Sequence, residues 1–422
     1  MDFHIIAILG ISGKDSKSVY SKDSTLNLPL KDGAFHNSTH CLIDSFGENA
    51  TYTFIGTAES VKIQREIFAN LSPCKAIFEK YPPLELQDSN EIEAIFHQII
   101  ESIKNTQSKN IILDITHGFR HQPIIASFAS IPGQIYTKKS ITILYAKEIE
   151  YGKKYQYISL ERYSQISLIV LCLQTFTQTL RVPDMKINEP FIITLTSFSN
   201  ALHANAFSQI FELLDKVNNE LKKAKDNINK GLKNRFKGLE NVLKEVENIL
   251  EVFKNIQNTP KDYNKYYKLA RLMHDKKYYL ISATYISEAI SLYILDSLKQ
   301  KGYFTKRQKN GEPYKVQQAI KSFVYLFDGN SHKSHESIKN ECYGKCEFYL
   351  SKSEVDELES FIRKNYLNDF KYLYKLTAQI NDIRNSLVHI TSAKDSPQTI
   401  QGNLQQIIES FNQKCLKNDC LK

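Results

Sequence analysis

Asn110-Ile111-Ile112-Leu113-Asp114-Ile115-Thr116-His117-Gly118-Phe119-Arg120-His121-Gln122 runs from an apolar, β-rich segment into a polar turn. QPIIASFASI, directly behind it, has the spacing of a helix. A strand apolar on both sides that passes at once into a helix is the repeating unit of a parallel sheet covered on both faces. The segments around it fit the same plan. FHIIAILG (3–10) is a short apolar run ending in glycine, TYTFIGT (51–57) is a strand with the helical AESVKIQREIFANL behind it, and HCLIDSF (40–46) is a further strand candidate. NEIEAIFHQIIESIK (90–104) spaces Ile92, Ile95, Phe96, Ile99, Ile100 and Ile103 as one helix face. ITILYAKEI (141–149) and YQYISL (155–160) read as a closing hairpin around Tyr151-Gly152-Lys153.

From about residue 166 the strand signal fades and helical patterns take over, at 166–181, 200–224, 232–256, 264–299, 314–327, 353–379 and 376–391, the last two readable as one helix. Polar loops are expected at 300–313 and 328–345. The fold class is therefore α/β with a mainly parallel sheet, followed by an all-α bundle, with the change near 160–185. The charge divides at the same place. Residues 1–165 carry 17 Lys+Arg against 18 Asp+Glu, and residues 166–422 carry 38 against 28. The basic excess of the helical part suits a polyanion such as RNA, and equally suits lysine-rich solvated helix faces.

A chain of 422 residues with 42% hydrophobic and 24% charged residues is a folded protein of two or three domains. Its seven cysteines are an odd number, scattered along the chain. The first residues show no secretory signal pattern, and the longest apolar run, ISLIVLCLQTF, is short of the roughly 18–20 residues a bilayer requires. A reduced, cytoplasmic setting and no membrane association are expected.

In open α/β sheets, ligands settle beyond the C-terminal ends of the strands. Three loops belong there: Gly10-Ile11-Ser12-Gly13-Lys14, Gly56-Thr57-Ala58-Glu59, and the turn from Asp114 to Gln122. The last packs hydroxyl, imidazole and guanidinium groups together, as phosphates and adenine edges require. The turn also fits a structural reading, with Asp114 and Thr116 capping the following helix. The first loop lacks the G-x-x-x-x-G-K-[ST] pattern of a P-loop.

At the other end, LYKLTAQINDIRNSLVHIT places Leu373, Leu376, Ile380, Ile383, Leu387 and Ile390 on one stripe. His389 follows Ile380 by nine residues, about 180° round a helix, so packing does not explain it. Asn385 stands one turn before His389 and can orient the imidazole. Arg384 lies about 140° from His389. An imidazole can transfer protons at an RNA 2′-hydroxyl, and a guanidinium can stabilise a phosphorane-like transition state, with no metal required. A rival cluster, His332, His335, Cys342 and Cys346, contains the ligand types of a zinc site at a non-standard spacing.

Asp114-Ile115-Thr116-His117-Gly118-Phe119-Arg120 resembles the D-x-T-H-G-x-R signature of CRISPR-associated proteins with a CARF (CRISPR-associated Rossmann fold) domain. Arg384-Asn385-Ser386-Leu387-Val388-His389 resembles the R-N-x-x-x-H motif of HEPN ribonucleases, with Glu288 at the family's acidic position. Their order resembles type III CRISPR-associated CARF–HEPN ribonucleases. That resemblance implies a CARF-like sensor over 1–165, a helical connector over 166–260 and a HEPN ribonuclease over 261–422. It implies a homodimer activated by cyclic oligoadenylate, with cyclic tetra-adenylate as the activator and cyclic hexa-adenylate as the alternative. Gly10, Ile11, Ser12, Gly56, Thr57, Ala58, Asp114, Thr116, His117, Gly118, Phe119 and Arg120 would bind it. Arg384, Asn385 and His389 would cleave single-stranded RNA to 2′,3′-cyclic phosphate ends. Whether the sensor also cuts its ligand stays open. The rivals are a CARF-type transcription regulator and a HEPN toxin outside CRISPR.

Overall fold

The computed structural model describes residues 3–14, 16–86, 92–229, 236, 238–305, 313–328, 334–347, 349–388 and 396–422. Two compact units form. One comprises Met1–Thr177, Arg181–Ser197 and Asn219–Val246, the other Gln178–Leu180, Phe198–Asn218 and Glu247–Lys422.

The first unit is built on strands β1 (Phe3–Ile8), β2 (Ser18–Lys22), β3 (Gly33–Phe35), β4 (Ala50–Thr57), β5 (Leu84–Leu86), β6 (Asn110–Asp114), β7 (Ser140–Glu150) and β8 (Lys154–Ser159). They form one sheet in the order β3-β2-β8-β7-β6-β1-β4-β5. The pairs β1–β4, β1–β6, β2–β8, β4–β5 and β6–β7 are parallel, and β2–β3 and the β7–β8 hairpin are antiparallel.

Alternation along β1 assigns its two faces. Ile5, Ala7 and Leu9 join a core with residues of α1 (Ser38–Phe46), α2 (Ala58–Phe68) and α3 (Cys74–Lys80). Ile6 and Ile8 join another, with α4 (Ile92–Asn105) and α5 (His121–Thr137). The expected strand at 40–46 is a helix. Asn37 caps it by accepting the His40 N–H at 2.9 Å, and Gly47 closes it at φ 51°, so residues 38–43 are all buried as a helix packed on the sheet.

The remaining helices are α6 (Glu161–Thr179), α7 (Pro190–His203), α8 (Phe207–Asn229), α9 (Glu240–Gln257), α10 (Asp262–Asp275), α11 (Tyr279–Gln300), α12 (Pro313–Val324), α13 (His335–Cys346), α14 (Lys352–Asn365), α15 (Leu367–Val388) and α16 (Pro397–Phe411). Several expected boundaries move. The pattern at 264–299 is two helices, broken where Lys277 takes φ 65°. The pattern at 200–224 breaks at Asn205, φ 54°. The expected split near 376–379 falls instead at Tyr366, so α15 is continuous from Leu367. Residues 335–346, expected as loop, are helical because Ser334 caps the start and Cys342 and Cys346 are buried. In the second unit α11 packs against α10, α12, α15 and α16. No helix among the described residues is long and apolar enough to cross a membrane.

Candidate functional site

Strand β1 pairs with β4 on one side and β6 on the other, so the crevice beyond the ends of β1 and β6 is a topological switch point, where such sheets bind ligands. The loop after β1 and the turn after β6 meet there. A Cβ on Gly10 would lie 2.7 Å from the His117 Cβ, so only glycine allows this approach.

The loop Gly10–Gly13 is held by its carbonyls. Gln64 Nε2 donates to Gly10 O at 2.8 Å, Asn37 Nδ2 to Ser12 O at 3.4 Å, and His36 Nδ1 to Gly13 O at 2.7 Å. Asn37 also donates to Gln64 Oε1 at 3.0 Å, tying the supports together. The peptide N–H groups of Gly10, Ile11, Ser12 and Gly13 have no partner among the described residues. With its carbonyls engaged, the loop has N–H groups left over that could donate to an anion.

Asp114 is fully buried and accepts from Ser38 Oγ at 2.7 Å, Thr116 N at 3.1 Å and Thr116 Oγ1 at 2.5 Å. The Thr116 hydroxyl in turn accepts the Ala146 N–H at 2.9 Å, fastening the turn to β7. Asp114 and Thr116 therefore frame the turn. Burial pushes the Asp114 pKa up, against the pull of His117, Thr116 and Ser38. His117 is partly buried, and its pKa is lowered by burial, with Asp114 opposing. Its contacts agree with a neutral ring. The Ser38 N–H points at Nε2 from 3.3 Å, so Nε2 accepts, and the proton sits on Nδ1, 3.4 Å from Ser12 Oγ.

Of the other expected ligand residues, Ile11, Ser12, Ala58, Gly118, Phe119 and Arg120 are exposed. Phe119 lies parallel to the His121 ring, with centroids 6.2 Å apart. Gly56 is buried, where a Cβ would lie 2.4 Å from Ser60 Oγ. Thr57 caps α2 by accepting the Ser60 N–H at 3.3 Å. Sequence reading missed His36, Asn37, Ser38 and Gln64. Asn37-Ser38-Thr39 is a helix-capping pattern that could have revealed two of them, Asn37 and Ser38.

In the second unit, Leu373, Leu376, Ile380 and Ile383 are buried along α15, as the stripe requires. Asn385 is exposed, and Arg384 is half-buried with Nε sealed from solvent and lacking any partner among the described residues. His389 and Ile390 lie outside the described residues. On α11, Glu288 Oε1 accepts from Lys321 Nζ at 2.8 Å, while Oε2 and the Tyr285 hydroxyl are buried without partners among the described residues. Leaving such groups buried and unpaired is costly.

The rival zinc set is divided. His332 lies outside the described residues, and His335 Nε2 is 2.9 Å from Glu359 Oε1 and 3.0 Å from Arg363 Nη2. Cys342 and Cys346 face each other in the core, with sulfurs 3.6 Å apart. Among the described residues no three His, Cys, Asp or Glu side chains are placed to share a metal ion.

The sequence matches no protein-family model and no curated protein. Among solved structures, it is similar to Enterococcus italicus Csm6 bound to cyclic hexa-2′-fluoro-hexa-dAMP, at 13% identity, covering 99% of this chain and 96% of that one, with a TM-score of 0.32.

Proposed function

We propose that this chain is a ligand-switched ribonuclease, in which the α/β part binds cyclic oligoadenylate and the helical part cleaves single-stranded RNA. The observation that carries the reading is the meeting of the Gly10–Gly13 loop with the His117 turn at the β1/β6 crevice. The N–H groups at Gly10–Gly13, without partners among the described residues, belong to the loop that meets a neutral, oriented His117, with Ser12, Phe119 and Arg120 exposed. N–H groups and Arg120 suit phosphates, the Phe119 ring suits an adenine face, and the imidazole suits a 2′-hydroxyl or base edge. In this account residues 1–165 are the CARF-like sensor, 166–260 the connector and 261–422 the HEPN ribonuclease.

For cleavage, Arg384 stabilises charge on the transition-state phosphoryl oxygens, and His389 moves a proton at the 2′-hydroxyl or the leaving oxygen. Asn385 orients the imidazole. One chain brings one such imidazole, whereas in-line attack uses a base and an acid on opposite sides. A homodimer supplies both, and attack by the 2′-hydroxyl leaves a 2′,3′-cyclic phosphate. The setting is type III CRISPR defence in the cytoplasm. The test is RNA cleavage by purified protein, with cyclic tri-, tetra- and hexa-adenylate added separately and EDTA present throughout. Stimulation by the tetramer, or by the hexamer as alternative, is expected. Binding of duplex DNA without RNA cleavage would replace this reading by a transcription regulator. RNA cleavage indifferent to every ring would point to a HEPN toxin.

A further inference from the structure

Two pairs of thiols face each other in the second unit, and only one pair is reachable. Cys342 and Cys346 are one turn apart on α13 and wholly buried. Cys415 and Cys420 are brought together differently. After α16 the chain widens into a π-helical turn, Asn412–Lys417, with Asn418 N bonded to Gln413 O at 3.2 Å. Asp419 then takes φ 46°, and Cys420 N bonds back to Lys414 O at 3.2 Å. This reversal sets the two sulfurs 3.8 Å apart, with Cys415 buried and Cys420 partly exposed.

The surroundings separate the two thiols chemically. The contact with Cys415 draws the Cys420 pKa below the ordinary thiol value; the Tyr293 hydroxyl and Lys414 add to this, while burial and Asp369 oppose it. Cys415 is pushed up, by its bond to Cys420 and by burial, with Asp369 and Asp419 adding, and keeps its proton. The Tyr293 hydroxyl of α11 lies 3.7 Å from Cys420 Sγ. It accepts the Leu421 N–H at 3.2 Å and donates to Asp419 Oδ1 at 3.0 Å, which fixes the tail around the pair. Tyr372 borders Cys415 and Cys420 from α15.

We propose that Cys420 and Cys415 form a reversible oxidation site for small hydroperoxides, with Cys420 as the attacking sulfur and Cys415 as the resolving one. The Cys420 thiolate attacks the peroxide O–O bond. An S–O bond forms, the O–O bond breaks, and hydroxide leaves and is protonated to water, giving a sulfenic acid. Cys415 then gives up its proton and attacks the Cys420 sulfur. The S–S bond forms, the S–O bond breaks and a second water leaves. Two thiols and one hydrogen peroxide thus become one disulfide and two waters. The sulfurs need only close from 3.8 Å to about 2.0 Å. Dithiothreitol reverses the change by exchange.

The test uses the reduced full-length chain exposed to a small molar excess of hydrogen peroxide, then denatured, alkylated and weighed. Of the seven cysteines, two should stop accepting the alkylating reagent, and peptide mapping should place the bridge between Cys415 and Cys420. Dithiothreitol should restore both. In Cys415→Ser, Cys420 should stop at a sulfenic acid that dimedone traps, and in Cys420→Ser no thiol should be lost. The proposal is overturned if both thiols remain alkylatable, if Cys342–Cys346 bridges first, or if the bridge joins two chains.

Discussion

Gly118→Ala tests whether the turn after β6 is held in its observed shape for ligand binding. Gly118 has φ 98°, outside the regions open to alanine, and an added Cβ would lie 2.5 Å from Gln122 Oε1 and 2.6 Å from Ile8 Cγ2. The backbone strain is about 1–3 kcal/mol. Pushing into Ile8, a fixed residue of β1, adds about 1–3 kcal/mol. Gln122 Oε1 accepts the Phe119 N–H at 3.0 Å, so displacing it also releases Phe119. Gly152→Ala, in the β7–β8 hairpin, is the matched control in the same unit: φ is 64° and nothing lies within 4 Å of its Cβ. It should cost only about 1–2 kcal/mol. Urea unfolding and calorimetric titration with cyclic tetra- and hexa-adenylate measure both effects. Gly118→Ala should be less stable than Gly152→Ala by about 1–4 kcal/mol and bind activator at least ~10-fold more weakly, a loss of about 1.4 kcal/mol or more. Equal stability of the two variants with unchanged activator affinity would show that the shape of the turn at Gly118 does not matter to folding or to binding.

Acid should weaken the first unit through His4 and His40, both lowered from 6.5 to about 4, His4 by burial and then Lys139, His40 by burial and then His36. The folded state keeps them neutral while the unfolded chain protonates near 6.5. Stability is therefore intact above that pH and eroded by about 3 kcal/mol for each as pH falls to about 4. His4→Gln should flatten the urea midpoint against pH over that window, and an unchanged slope would contradict the assignment. His117→Ala should weaken activator binding by about 1.5–3 kcal/mol in the same titration, and unchanged affinity would make the turn structural only. His389→Ala should abolish RNA cleavage in a gel assay with the activator affinity and unfolding midpoint unchanged; substantial residual cleavage would remove His389 from the chemistry.

The parallel sheet was legible because β1 and β6 are buried on both faces and read as apolar runs, and because Tyr151-Gly152-Lys153 marks the hairpin that follows. Short strands were not legible: β3 and β5 have three residues each, and β2 has five, with Ser and Lys among them. Cys41, Leu42 and Ile43 misled, since a wholly buried helix shows no amphipathic period to distinguish it from a strand. The helical breaks at Lys277 and Asn205 depend on left-handed residues other than glycine, which carry little local signal. At the site, loop and turn could be named from their residues. Their supports could not, because Gln64 and Asn37 reach Gly10 and Ser12 across 54 and 25 positions of chain. The division of labour within the turn, with Asp114 inward and Arg120 outward, likewise required the fold.

In the proposed switch, a ligand bound by the first unit turns on RNA cleavage by the second. The measurement that tests it most directly is the initial rate of cleavage of single-stranded RNA against activator concentration, for the wild type, Arg120→Ala and Arg384→Ala. A saturable rise is expected for the wild type. Arg120→Ala should reach the same plateau at a midpoint at least ~10-fold higher, for the loss of one charge-assisted contact. Arg384→Ala should stay flat at every activator concentration. Wild-type cleavage that is the same with and without activator, or an Arg120→Ala curve with a lowered plateau and an unmoved midpoint, would contradict it.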